Sequence, residues 1–518
     1  MDGVRAGVKA PHLAAASAVA AVFVALVTFA STGVRGTDSY WYVADVERLA
    51  AGESWTTNNI FPLHVMQNEQ LARPRFLHNI PHVYFVWPAA RLLGAYRGWI
   101  ATNVAASLIT ALMVGWLLTR AHGPWFGVLG FSWYLLLPLT LWQTTQPVVE
   151  ATLAPVLGLV MLLYAGTLRD AWRWPLLLLA ATLAYYGRES FLPLLLLVPL
   201  ACCRQREGDR RTRVLTASGL LLLALAAIAL KQPLFPRSTQ VPLPVRMNMG
   251  VPGVSDNMAV YFGQAQGALR AWHLWWKLRR GITQQLLPPL RSQLFYLPFN
   301  LLAVGSVWGC LRGKNPAQRR SSNLAVVLLV IHVLTICLMQ NQFRYMLPVL
   351  PVVLVAGLWK LGDVRWLQPR VLSLLAGSTL ALAAADLPLA AWLHQAGRAE
   401  QRLAEGLRQQ LRAIVGAEQT VVMEAGGGKN YLLAGYALRP ARVVFVRASS
   451  PPDLLDRIDR TLRPDWLLCP AASPLRKHYP AGAPAERTEL PAPFRTYRLY
   501  RLRPAQVNTP PPAKPLAP

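Results

Sequence analysis

The sequence predicts an α-helical multi-pass membrane protein of about eleven spans, with a small extracytoplasmic α/β domain at its C-terminal end. Three observations predict it. Of 518 residues, 54% are hydrophobic and only 15% charged, against about a quarter charged in soluble domains. Apolar runs long enough to cross a bilayer recur along most of the chain. Beyond residue 395 the hydropathy falls, and short strand-like runs, "TVVMEA", "RVVFVR", "DWLLCP" and "RTYRLYRLR", are separated by helix or loop.

In order, the spans are 12–30, 99–119, 126–142, 147–167, 174–187, 191–203, 214–231, 294–311, 322–340, 344–360 and 371–393. The first has a long apolar run with no clear cleavage site after it, so it reads as a retained helix rather than a signal peptide. Four short loops, 169–173, 204–213, 312–320 and 360–370, are basic. A cytoplasmic N-terminus puts all four on the cytoplasmic side. Loops 31–98 and 232–293 and the C-terminal domain then face outward, to the periplasm or exterior. The net charge of +28 is explained by these loops, and nucleic acid is not an expected partner. The cysteines, Cys202, Cys203, Cys310, Cys337 and Cys469, lack metal or redox spacing and read as buried thiols.

The stretch "WPLLLLAATLAYYGRESFLPLLLLVPLACC" (174–203) is too long for one span. Read as one helix, it would also put the basic 204–213 loop outside. Two short helices meeting at "YGRES" are expected instead, with the junction lining a cavity rather than facing lipid. Arg188 and Glu189 then lie near membrane depth, where ionisable groups are functional candidates. The alternative is an Arg188–Glu189 pair that only holds the two helices together.

The second outer loop carries "LRAWHLWWKLRR" (269–280). Trp272, Trp275 and Trp276 with Arg279 and Arg280 suit an interfacial helix, serving as an anchor or as a docking surface for a lipid-linked substrate. Residues 1–395 form the membrane module, 396–503 the α/β domain and 504–518 a Pro-rich tail. "EAGGGKNY" (424–431) lacks the spacing of a phosphate loop, because Met423 and Asn430 stand where Gly and Ser or Thr are needed. It reads as a turn.

One motif set carries a family resemblance. "DSYWYVADVERLAAGESW" (38–55) places an acid just after the first helix and then an amphipathic segment ending Leu-Ala-Ala-Gly-Glu-Ser-Trp. Tyr42, Val46 and Leu49 share one face, so this helix can lie on the membrane. "NIPHVYFVWPAARLLG" (79–94), "GRESFLPLLLL" (187–197) and "FRYMLPVLPVVLVAG" (343–357) follow in order. Together these resemble the GT-C glycosyltransferases: the aminoarabinose transferases, the RgtA/B/C/D-like enzymes and the protein O-mannosyltransferases. The sequence departs from the pattern at the second motif. The Lys that often precedes a Pro-Pro pair is missing, and the second Pro is His82.

The resemblance implies a GT-C fold in a bacterial inner membrane. It also implies transfer of a sugar from a polyprenyl-phosphate donor to an envelope glycan, lipid or protein acceptor on the outer face. Asp38 matches the catalytic acid of the first loop and is the expected general base. Glu150, in "TTQPVVEATLAP", matches a recurrent acidic position, where a plain helix-N-terminal acid is the alternative. Arg188 and Arg344, with Tyr345, would bind the phosphate, and Glu189 would orient Arg188 or the acceptor. Tyr42 lines the first loop, and His78 or His82 would supply the missing donor. Asp45 and Glu47 look like a metal pair, but residues two apart diverge on a helix, and the two read instead as the wet face of a surface helix. No cofactor is implied with certainty, and a divalent metal is open. Rival readings are a lipid-linked sugar flippase or transporter, and a noncatalytic envelope assembly protein. The first predicts inverted repeats, and the sequence contains none.

Overall fold

The structure, a computed structural model, describes residues 8–52, 58–66, 81–164, 170–203, 209–234, 247–248, 251–254, 259, 261–264, 270–286, 304–309, 311–312, 316–339, 347–426, 431–479 and 490–502. They divide into two compact units. The first comprises 1–56, 75–260 and 264–401, and the second 57–74, 261–263 and 402–518.

The first unit is helical. Helix α1 (Ala10–Ala30) is followed by α2 (Thr37–Ala50). Among the described residues four helices are long and apolar enough to cross a bilayer: Ala10–Ala30, Ala95–His122, Arg210–Lys231 and Gln368–Arg412. A fifth is made by Pro124–Leu136 and Pro138–Thr144, bent by 54° where Pro138 interrupts the backbone ladder. Several other expected spans are shorter helices. The expected 147–167 span is the 15-residue helix Glu150–Tyr164, and 191–203 is the 12-residue Leu192–Cys203. At 1.5 Å per residue their described portions cover about 22 and 18 Å. The expected span 294–311 lies mostly outside the described residues.

The break expected near "YGRES" falls at Arg188. One helix runs from Asp170 to Gly187, a single 3₁₀ turn covers Glu189–Phe191, and the next helix starts at Leu192. Arg188 itself is extended (φ −146°, ψ 128°). The helices pack through one continuous core that includes Leu118, Phe131, Leu157, Ala181, Leu195 and Leu354. Of the described cysteines, Cys202 and Cys469 are buried, but Cys203 is exposed. Consecutive helical residues point about 100° apart, so only one of the 202–203 pair faces the core.

No break occurs at residue 395. Val371–Arg412 is one 42-residue helix, about 63 Å long. Hydropathy changes along it, but no Gly-Pro or turn cluster stops the backbone. It meets the end of α1 at a close backbone approach: a Cβ on Gly33 would lie 2.8 Å from the Gly397 carbonyl oxygen. The Thr32 hydroxyl donates to the His394 carbonyl nearby (2.9 Å).

The second unit is built on a five-stranded sheet of order β1-β3-β2-β4-β5. The strands are β1 (Asn59–Ile60), β2 (Thr420–Glu424), β3 (Arg442–Val446), β4 (Trp466–Pro470) and β5 (Tyr497–Arg501). All neighbours are parallel except β4 and β5. Parallel strands are covered on both faces. Val422, Val444 and Val446 pack toward the helix Pro452–Leu462 through Leu455 and Ile458, while the alternate residue Phe445 meets Tyr431 on the opposite face (ring centroids 5.1 Å). The sheet draws on segments remote in sequence. Ile60 pairs with Val444, and the Leu63 N–H donates to the Tyr261 carbonyl (3.1 Å). Phe61 touches Phe262 and Phe445 at 5.8 and 5.0 Å.

Candidate active site at a helix break

Glu150 opens the helix Glu150–Tyr164 and is 1% exposed. Its carboxylate is ion-paired with the Arg188 guanidinium, which comes from the helix break. A buried acid at a helix N-terminus gains from the macrodipole, and the guanidinium supplies the counter-charge that burial demands. Glu189, one residue on, faces elsewhere. It lies 3.7 Å from the Lys231 ammonium at the end of the helix Arg210–Leu234. Lys231 also donates to the Tyr185 carbonyl (2.9 Å) and sits 4.3 Å over the Tyr185 ring. Arg188 and Glu189 therefore form cross-pairs with two other helices.

Lys231 is a site residue that sequence reasoning missed. Its signal was available: a lone cation at the end of an apolar span away from the basic 204–213 loop, where an ionisable group is a functional candidate. Asp386 was missed as well. It is a single acid within an apolar span, and it is fully buried. Among the described residues neither of its oxygens has a hydrogen-bond partner.

Asp38 stands in the first turn of α2, partly buried. The turn is set by Gly36 at φ +78°, a left-handed conformation that side chains other than glycine rarely adopt. A contact chain links α2 to Glu150. Tyr42, buried, has its ring 5.4 Å from that of Trp99. The Trp99 indole N–H donates to the Val148 carbonyl (3.3 Å), two residues before Glu150. Arg35, also buried, donates to the carbonyl (3.1 Å) and hydroxyl (2.8 Å) of Thr145. The first-loop helix is thus tied to the segment that carries Glu150.

Asp45 corrects the sequence reading. It is 5% exposed, whereas Glu47 is exposed. Asp38, Tyr42 and Asp45 recur at helical spacing and share one stripe. The divergence of residues two apart sent Glu47 to solvent and Asp45 inward.

His78, Arg344 and Tyr345 lie outside the described residues. His82 belongs to the helix Pro81–Leu93, and its side chain is outside what the structure describes. Among the described residues no three His, Cys, Asp or Glu side chains converge as metal ligands. Gly427–Asn430 of the "EAGGGKNY" turn also lie outside them. The helix expected from "LRAWHLWWKLRR" spans Ala271–Leu286. Trp272 and Trp275 are exposed, and Arg280 lies 5.0 Å over the Trp276 ring. Lys277, on its buried side, donates to the Leu338 carbonyl (3.0 Å).

No protein-family model and no curated protein matches the chain. Solved structures do. ArnT from Cupriavidus metallidurans bound to undecaprenyl phosphate superposes with a TM-score of 0.60 at 12% identity, over 95% of this chain and 98% of that one. The apo state of the same protein gives 0.60 at 13% identity. The archaeal oligosaccharyltransferase AglB from Archaeoglobus fulgidus, in complex with an inhibitory peptide and a dolichol-phosphate, gives 0.53 at 12% identity, over 89% and 69%. The chain shares its fold with these structures. Within that fold, the helix that carries Asp38 is linked through Tyr42, Trp99 and the Val148 carbonyl to the segment that carries the Glu150–Arg188 pair.

Proposed function

We propose that the chain is a membrane glycosyltransferase that moves a sugar from a polyprenyl-phosphate donor to an envelope glycan, lipid or protein acceptor, with inversion. The observation that carries this reading is the Arg188–Glu150 pair at a helix break inside a GT-C bundle. The relatives of this fold solved with undecaprenyl phosphate and dolichol-phosphate make a lipid phosphate the natural ligand for it.

In the proposed reaction the acceptor hydroxyl attacks the anomeric carbon. Its proton passes to the Asp38 carboxylate as the new C–O bond forms. The bond from the anomeric carbon to the phosphate oxygen breaks, and polyprenyl phosphate leaves. The phosphodiester carries one negative charge and the departing monoester approaches two. Cations that hold the phosphate therefore stabilise the transition state more than the ground state. Arg188 serves this role, with Arg344 and Tyr345 assigned to it from the sequence. Glu150 fixes the Arg188 guanidinium, and Glu189 with Lys231 braces the other side of the break. No general acid is needed, because phosphate is already a good leaving group.

The test is direct. Full-length protein in detergent or nanodiscs is incubated with labelled polyprenyl-phosphate sugars and envelope acceptor fractions. Release of polyprenyl phosphate coupled to sugar transfer supports the reading. Movement of intact donor across the bilayer, with no bond cleaved, makes the protein a transporter instead.

A further inference from the structure

A cavity lies well away from the charged break. It encloses about 580 Å³ between α1 and the helices Ala95–His122, Pro124–Leu136 and Glu150–Tyr164. On the last of these it is lined by Leu159, Leu162 and Leu163, some 14–20 Å along the helix axis from Glu150. The cavity therefore lies toward the other end of that helix from the Glu150–Arg188 pair.

Its chemistry is two-part. The walls are apolar, with Leu13, Leu112, Trp116 and Phe131 among them. Leu13 and Leu112 are more than half exposed, so the cleft is open at its side. The mouth is basic. Arg120 lies 5.0 Å over the ring of the lining residue Trp116, and exposed Lys9 adjoins the lining residue Val8. The backbone at Lys9 is fixed, since its N–H donates to His12 Nδ1 (3.0 Å), whose ring packs on Trp125 at 4.6 Å. No Asp or Glu occurs in 8–30, 95–136 or 151–164, so no acid from these elements neutralises the mouth.

We infer that this cleft is a binding site for an anionic phospholipid, one acyl chain filling the cavity and the phosphate headgroup held by Lys9 and Arg120. A basic mouth over an apolar cleft matches an anionic headgroup joined to a hydrocarbon tail. The tail of a polyprenyl donor is the competing occupant. It carries no charge along its length and leaves Lys9 and Arg120 without a function.

The experiment uses delipidated full-length protein in mild detergent. Phosphatidylglycerol and phosphatidylethanolamine with identical acyl chains are added, and bound lipid is read by native mass spectrometry. Phosphatidylglycerol is expected to be retained roughly thirtyfold better, from two basic contacts. The double variant Lys9→Gln/Arg120→Gln, changed only at exposed positions, is expected to reduce it to the level of phosphatidylethanolamine. Ala16→Phe, which fills the cavity, is expected to lose both lipids. Equal retention of the two lipids by the unmodified protein overturns the proposal. So does unchanged selectivity in the double variant, or displacement of the bound lipid by polyprenyl phosphate.

Discussion

Arg188 is joined in sequence to Glu189 but in space to Glu150, a residue 1% exposed at the start of another helix. The pair is a counter-charge arrangement between two helices: Glu150 is buried, whereas the Arg188 side chain is 18% exposed. Arg188→Gln, which takes a counter-charge from a buried carboxylate, is therefore expected to destabilise the protein by about 3–5 kcal/mol, Glu150→Gln by less, and the double variant by less than the sum of the two. Thermal unfolding in detergent across the four forms checks this. Additive losses would show that the two residues act independently.

Asp38 is partly exposed on a short helix, so Asp38→Asn is expected to insert and fold normally. As the proposed base, its loss is expected to lower the transfer rate by about 10²–10⁴-fold with donor affinity unchanged. Single-turnover assays beside donor-binding measurements separate the two quantities.

Burial pushes the Lys277 amine down to about 8 from its ordinary value of 10.5. The unfolded chain holds this proton up to the higher value and the folded chain releases it at the lower. Stability is therefore lowest below pH 8, rises between about pH 8 and 10.5, and is level above that. Lys277→Met is expected to flatten the rise, as read from tryptophan fluorescence melts across that range.

Asp386 is fully buried in an apolar helix, and its oxygens have no hydrogen-bond partner among the described residues. Asp386→Leu is expected to raise stability by about 1–3 kcal/mol and to leave sugar transfer unaltered. A drop in the melting temperature would count against this.

Ile60, fully buried, packs with Val422 and Val444 in the sheet core. Ile60→Ala is expected to cost about 2–5 kcal/mol in the sheet unit. Faster amide exchange in Arg442–Val446 would report it, although the substitution lies far away in sequence.

Much of the helical unit was readable because apolar length and loop charge are local signals. The break at Arg188 followed from a 30-residue apolar run that was too long for one span. Pairing across helices was not readable. Nothing in "YGRES" indicates that Arg188 meets Glu150, because that depends on how the helices pack. Lys231 and Asp386 were readable but passed over, each being a lone charge in an apolar run. The two-residue strand at Asn59–Ile60 was hidden for another reason. It is too short to show a period, and its partner lies near the opposite end of the chain.

That strand bears on how the protein is made. The sheet unit gathers residues 57–74, 261–263 and 402–518, so no cut at one point in the chain separates it cleanly. During synthesis Ile60 emerges on the order of tens of seconds before Val444. An early segment must stay unpaired, and its apolar side chains uncovered, until the last quarter of the chain arrives. The unit is thus a late seal on the growing chain rather than an independent cassette, and a C-terminal fragment lacking 57–66 would start with one edge of its sheet bare.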